Sequence, residues 1–215
     1  MPTDIVFLIA ILIFSIIVHE ISHGYMAEVL GDPTARLSGR LTLNPVPHLD
    51  LWGSFIVPLF LILANAGFVI GWAKPVPYNP YNLGNKKWGE ALVAGAGPAM
   101  NILIALLFSA LLRADAAMGF LSPSFVELTS FVVYINLLLA FFNLVPIPPL
   151  DGAKVLASLL PFHLSRHFSA GALMGRYGPF GGLLLLFLFI FFLWPFFFRF
   201  VTVLFALFTG MPLVI

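Results

Sequence analysis

The chain has 215 residues, 61% of them apolar and only 9% charged, against roughly 25% charged in ordinary soluble chains. That excludes a water-soluble globular domain and points to an integral membrane protein. A net charge of +1 argues against a nucleic-acid partner, which needs a clustered basic face, and the absence of cysteine excludes disulfides and thiolate metal sites.

Residues Ile5 to Val18 carry no charge, and the helix they predict runs on to about Leu30. A signal peptide would have a basic n-region and a small-residue cleavage site. This stretch has Asp4 instead and leads into His19-Glu20-Ile21-Ser22-His23, so it reads as a permanent first span. Helical spacing puts His19 and His23 on one face, where two imidazoles can hold one zinc with Glu20 beside the water to be activated. At 1.5 Å rise per residue these histidines lie roughly 21 and 27 Å from Ile5, inside a hydrocarbon core about 30 Å thick. Ionisable groups are costly at that depth, so the motif predicts metal-assisted hydrolysis within or near the membrane.

The next apolar stretch, Leu51 to Ile70, contains Gly53, Pro58 and Gly67 and precedes the proline-rich Lys74 to Pro80. If it crosses, Arg36, Arg40 and Arg113 oppose Lys74, Lys86, Lys87, Lys154, Arg166 and Arg176. If it dips in and returns, all but Arg113 fall on one side, which fits the positive-inside rule far better and sets the active site toward the cytoplasmic face. Broken backbone at that depth is tolerated where protein covers it. His48 and Asp50, just before this stretch, are alternative metal ligands, though a proline loop near the interface is a poor setting for them.

Further spans are expected at Ala91 to Leu112, Phe125 to Leu144 and Phe180 to Phe198, the last with possible extension toward Phe208. The fold class is all-α and polytopic: about four full transmembrane helices plus one broken or re-entrant segment, five or six spans if that segment crosses, around a buried zinc site. Gly95, Gly97 and Ala99 read as close helix packing, and Asn101 either bonds between helices or serves the site. The Phe-rich run from Phe187 to Phe208 reads as lipid-facing bulk, with Trp194 as an interface anchor and Arg199 able to snorkel.

A catalytic zinc takes three protein ligands plus water, so two histidines leave one position to fill. Asp151 is the best third ligand. Pro146, Pro148 and Pro149 must unwind the chain just before it, and unwound backbone at membrane depth lines a cavity or contacts protein. The competing reading is an N-cap for 152–160. His163 and His167 share the i, i+4 spacing but lack an intervening acid and sit near Arg166, so they read as surface residues.

Together these residues resemble the site-2 protease family, the zinc-dependent intramembrane proteases also called M50 peptidases. The resemblance rests on HEISH at 19–23, on Gly97-Pro98-Ala99-Met100-Asn101, and on Asn143 followed by PIPPLDG at 146–152. The text at 31–50 and 71–83 is similar to the compact subgroup without PDZ or CBS modules. Leu51-Trp52, where related sequences suggest a proline, is a local departure. The resemblance covers about residues 5–160. It implies zinc on His19, His23 and Asp151, water activation by Glu20 and substrate positioning by Asn143, with Asn101 a further substrate-binding candidate.

The reading is a single membrane-embedded peptidase domain over 1–215, with a catalytic core at about 5–160 and a C-terminal apolar region at about 178–210. Its substrates would be transmembrane proteins of the cell membrane, unwound for cleavage. An extended substrate could add as a strand to an edge within 41–80, where Arg40-Leu41-Thr42-Leu43-Asn44 alternates. The alternative is a noncatalytic zinc protein that binds transmembrane clients, but such a protein has no need of Glu20. No inverted repeat suggests a transporter, and neither a membrane-embedded aspartate pair nor a serine nucleophile turn is present. The oligomeric state is not legible in the sequence.

Overall fold

The computed structural model of the protein describes residues 2–65, 71–85, 87–161 and 180–213, and every regular element among them is helical. Helix α1 (Pro2–Val29) leads to a one-turn helix α2 (Thr34–Leu37), and a short α3 (Val57–Leu63) precedes α4 (Gly89–Met118), α5 (Pro123–Asn143) and α6 (Asp151–Leu159). The last apolar run is α7 (Phe180–Leu188), a π-helical turn at Phe189–Leu193 and α8 (Trp194–Thr209), continuous from end to end. Val6–Val29, Gly89–Met118, Pro123–Asn143 and Leu184–Thr209 are each long and apolar enough to cross a bilayer. The all-α, multi-pass architecture expected from the sequence is the one observed.

Helix α4 is longer at both ends than the hydrophobic run that predicted it. It stops at Gly119, whose φ of 65° suits glycine and whose N–H returns to the Asp115 carbonyl at 2.7 Å. Ser122 then caps α5, with Pro123 in the first helical position, so α4 and α5 form a tight helical hairpin. Ala105 and Leu112 of α4, Val133 and Leu137 of α5, and Val201 and Phe205 of α8 make one buried cluster. Helix α1 packs against α4 and α5. Arg113 ties the C-terminus of α8 to α4, donating to the carbonyls of Leu207 and Phe208 at 2.6 Å each.

The broken segment does not cross. A six-residue π-helical turn, Leu51–Ile56, runs into the seven-residue α3, well short of the roughly 20 residues a span requires. The chain turns at Ala64 and Asn65. On its return, the Trp72 N–H donates to the Gly53 carbonyl at 3.1 Å and the Lys74 N–H to the His48 carbonyl at 2.9 Å, so the segment comes back beside the residues it left. Gly53 permits this approach, because a Cβ there would lie 2.4 Å from the Trp72 ring. The return leg, 71–79, is neither helix nor strand and forms a strap across one face of α1. The alternating residues at 40–44 form irregular bends rather than a strand. Thr42 and Asn44 side chains bond nearby backbone N–H groups, and the Arg40 side chain turns inward to the strap.

Candidate metal centre

Helix α1 carries His19, Glu20 and His23 to the middle of the molecule, where both imidazoles are buried. Their Nε2 atoms each lie 3.2 Å from the same oxygen, Oδ2 of Asp151. The three donor atoms fall within 4.8 Å of one another, and the two rings stand edge to face with centroids 4.7 Å apart. The structure thus brings together residues 132 positions apart in sequence, as the spacing of the motif and the proline run had suggested.

Asp151 reaches this point because α5 ends at Asn143 and the following turns deliver a new helix start. Gly152 lies so close to the end of α5 that a Cβ would meet the Leu144 carbonyl oxygen at 2.2 Å. The competing N-cap reading fails: Leu150 holds the cap position, Asp151 is the first residue of α6, and its carboxylate points to the histidines.

Whether these groups suit a metal is decided by what lies behind them. His19 Nδ1 is 3.0 Å from Oδ1 of Asn101, and His23 Nδ1 is 2.7 Å from the Val93 carbonyl. Both partners only accept, so each imidazole carries its proton on Nδ1 and turns an Nε2 lone pair toward Asp151. Pro98 lies inside α4 and lacks the N–H that would bond the Ala94 carbonyl, next to Val93. Gly97 leaves the space open, since a Cβ there would sit 2.5 Å from His23 Nε2 and 2.6 Å from His19 Nε2. Two lone-pair nitrogens, one carboxylate and a bare glycine face fit a divalent zinc. Close helix packing, the reading its sequence position suggests for Gly97, does not by itself account for this approach to both imidazoles.

A cavity of about 300 Å³ opens onto the triad, and its walls include Glu20, Trp72, Val76, Tyr78, Asn143 and Lys154. Glu20 faces this space with Oε2 accepting from the Val76 N–H at 3.0 Å. Asn143 is on the wall, its amide nitrogen donating to the Leu139 carbonyl at 2.9 Å. Lys154 Nζ lies 5.2 Å from the centre of the Tyr78 ring. Asn101 occupies a different position: fully buried behind His19, it is absent from the cavity wall. His48 is buried away from the triad with Nε2 donating to the Thr42 carbonyl, and Asp50 caps the Leu51–Ile56 turn. His163 and His167 lie outside the described residues.

The strap is the feature that sequence reasoning did not anticipate in this form. Arg40, itself buried, donates to the carbonyls of Lys74 and Pro75 at 2.6 and 3.2 Å. Asp32, completely buried, accepts from the Asn79 N–H at 2.6 Å, from the Asn82 amide at 2.8 Å and from both the N–H and hydroxyl of Thr34. Burial pushes the Asp32 carboxyl up, yet these donors outweigh it and hold the carboxyl below its ordinary range. Two buried charged side chains therefore fix the backbone that reaches Glu20. Their signal in the sequence was weak, because both sit in loop text with no period.

Comparison with known proteins agrees with this geometry. The family model described as Peptidase family M50 matches residues 117–188. A candidate zinc metalloprotease of Bacillus subtilis (strain 168), YwhC, is 38% identical over 160 residues, covering 72% of this chain and 69% of that protein. A candidate zinc metalloprotease of Mycolicibacterium smegmatis, Rip2, is 32% identical over 143 residues, 65% of this chain and 52% of its own. Rip2 of Mycobacterium tuberculosis (strain H37Rv) is 29% identical over 153 residues, 70% of this chain and 56% of its own. No solved structure matches.

Proposed function

This chain belongs to peptidase family M50 and is a zinc-dependent intramembrane metalloprotease; we propose that His19, His23 and Asp151 hold its zinc and that Glu20 is its catalytic base. The observation that carries the assignment of roles is the convergence of His19 Nε2 and His23 Nε2 on one oxygen of Asp151 beside a cavity that Glu20 lines.

Zinc, when bound, supplies Lewis acidity, polarising the scissile carbonyl and easing loss of a proton from water. The Glu20 carboxylate takes that proton as the water attacks and returns it to the leaving amine. The Val76 N–H holds Oε2 and leaves Oε1 to accept from the reacting water. Asn143 offers its side-chain amide to the substrate backbone or the developing oxyanion. Asn101 holds His19 by accepting from Nδ1, so its contribution is to orientation rather than to substrate contact.

The substrate is a transmembrane protein whose helix opens locally, because a helical backbone keeps its carbonyls in hydrogen bonds. The opened segment lies along the strap, where Ala73 faces the cavity and its N–H donates to no described residue. Pairing there would hold any sequence by its backbone. Ala73→Pro should therefore lower cleavage while leaving zinc in place; undiminished turnover would remove the strap from substrate binding. The proposed location is the cell membrane, with the site toward the cytoplasm and one peptidase domain spanning the chain. The re-entrant hairpin supports that orientation, as it leaves Arg36, Arg40, Lys74 and Lys154 on one side and Arg113 on the other.

The deciding experiment is cleavage of a panel of single-span substrates by purified protein in liposomes, comparing wild type with Glu20→Gln while bound zinc is measured in both. A product lost in the variant with zinc retained supports the mechanism. Equal cleavage by the variant would overturn the role of Glu20.

A further inference from the structure

Behind the metal ligands lies a second polar group that the proposed chemistry does not use. Asn136 of α5 is completely buried, and its amide nitrogen donates to Ser15 Oγ at 3.0 Å and to the Val132 carbonyl at 2.9 Å. A carbonyl can only accept, which fixes that nitrogen and leaves Oδ1 as the other end. Oδ1 has no hydrogen-bond partner among the described residues. Asn101 of α4, also completely buried, uses Oδ1 on His19 Nδ1 and leaves its Nδ2 without a described partner. One amide thus lacks an acceptor and the other lacks a donor.

Both amides reach α1. Asn101 touches His19 and Asn136 touches Ser15, and these two α1 residues stand four positions apart on one face. Four residues rise about 6 Å along a helix, so the two amides meet α1 about one turn apart. Ser15 is buried as well, accepts from Asn136, and its hydroxyl proton goes to no described residue. A single water here would accept from Asn101 Nδ2, donate to Asn136 Oδ1 and meet the Ser15 hydroxyl. That gives the three polar partners typical of a buried structural water. Leaving both amides unsatisfied in an apolar interior would instead cost the full desolvation of each.

We infer that α1, α4 and α5 enclose a specific water site formed by Asn101, Asn136 and Ser15, and that Asn136 and Ser15 are positioning residues for the zinc ligand His19. The water fixes the rotation of the Asn101 amide. That amide in turn fixes the His19 proton on Nδ1 and the ring plane facing Asp151. The inference rests on the zinc reading of His19, His23 and Asp151 given above. It does not require Asn136 or Ser15 to touch substrate.

The test uses Ser15→Thr and Ser15→Val in the full chain, two substitutions of nearly equal shape that differ in the hydroxyl. Zinc affinity of the metal-stripped proteins is measured by chelator competition in detergent, alongside a thermal melt of each. The expected result is zinc binding about tenfold weaker in Ser15→Val than in Ser15→Thr, the scale of a lost outer partner of a metal-binding histidine. Equal zinc affinity in the two would overturn the positioning role. Should either variant fail to fold, a wild-type density map fine enough to show ordered water decides. Density within hydrogen-bond reach of Asn101 Nδ2 and Asn136 Oδ1 supports the site, and a dry or directly bonded amide pair removes it. Failure of the underlying zinc reading would look different, as a wild type that takes up no zinc at all.

Discussion

Helix α1 and the continuous run that ends in α8 are both long and apolar enough to cross a bilayer, yet of the two only α1 buries ionisable side chains. Helix α8 turns Val201, Phe205 and Thr209 inward and presents Phe196, Val203 and Leu207 to the surroundings. Helix α1 buries Ser15, His19 and His23 beside Ile17, Ile21 and Ala27, while leaving Phe7, Phe14 and Tyr25 exposed. In lipid an exposed Phe carries no penalty, because the tails are as apolar as the side chain. An ionisable group buried among such helices therefore needs its own reason, and on α1 the metal centre supplies it. The two helices look alike in composition and differ in purpose.

The largest expected effect separates chemistry from the metal site itself. Glu20→Gln should lower cleavage by about 10²–10⁴-fold, the usual contribution of a general base, with zinc content unchanged; retained activity would break the distinction between α1 as reactive helix and α8 as scaffold. Next, Gly97→Ala should lower zinc affinity by more than the roughly ten- to hundredfold expected of an outer-shell change, since its Cβ would lie 2.5 Å from His23 Nε2. Gly95→Ala, two residues earlier with open space around it, should bind zinc as wild type does. Equal affinities from chelator competition would show that Gly97 is not the floor of the site.

On the scaffold side, Phe205→Ala should destabilise the fold by about 3 kcal/mol, while Leu207→Ala on the lipid face should stay within about 0.5 kcal/mol. Denaturation in detergent, with zinc affinity measured on the folded fraction, checks both; a zinc defect in either would couple α8 to the centre. The smallest effect concerns the strap. The folded Asp32 carboxyl lies below its ordinary value of 3.8, so its stabilisation is fully present above that value and is lost as pH falls through the lower folded value. Wild type should lose strap protection, read by hydrogen exchange at Val76 and Asn79, as the medium is acidified below about pH 4. Asp32→Asn should show weaker protection already at neutral pH and little further change.

The candidate ligands His19, His23 and Asp151 were legible for different reasons. The histidines follow from a helical period, which any stretch of α1 imposes on its own residues. Asp151 was reached through the prolines that unwind the chain before it, a weaker signal that also allowed an N-cap. Asn101 was visible as a polar residue in an apolar span, but its partner was not. Whether it met substrate or His19 depended on how α4 packs on α1. The strap was less legible still, since Arg40 and Asp32 act on backbone groups that carry no side-chain identity to recognise.

What this sequence determined by itself was local: the apolar runs long enough to span, the helix that sets two imidazoles on one face, and the proline run that must break. Those follow from hydropathy and backbone stereochemistry within one element. Only the tertiary structure decided that the segment after Asp50 returns as a hairpin, that Asp151 turns to the histidines rather than capping α6, and that the Val76 N–H rests on Glu20. These contacts join residues from 19 to 132 positions apart. Their geometry is set by close packing of helices whose exposed faces lipid leaves almost unconstrained.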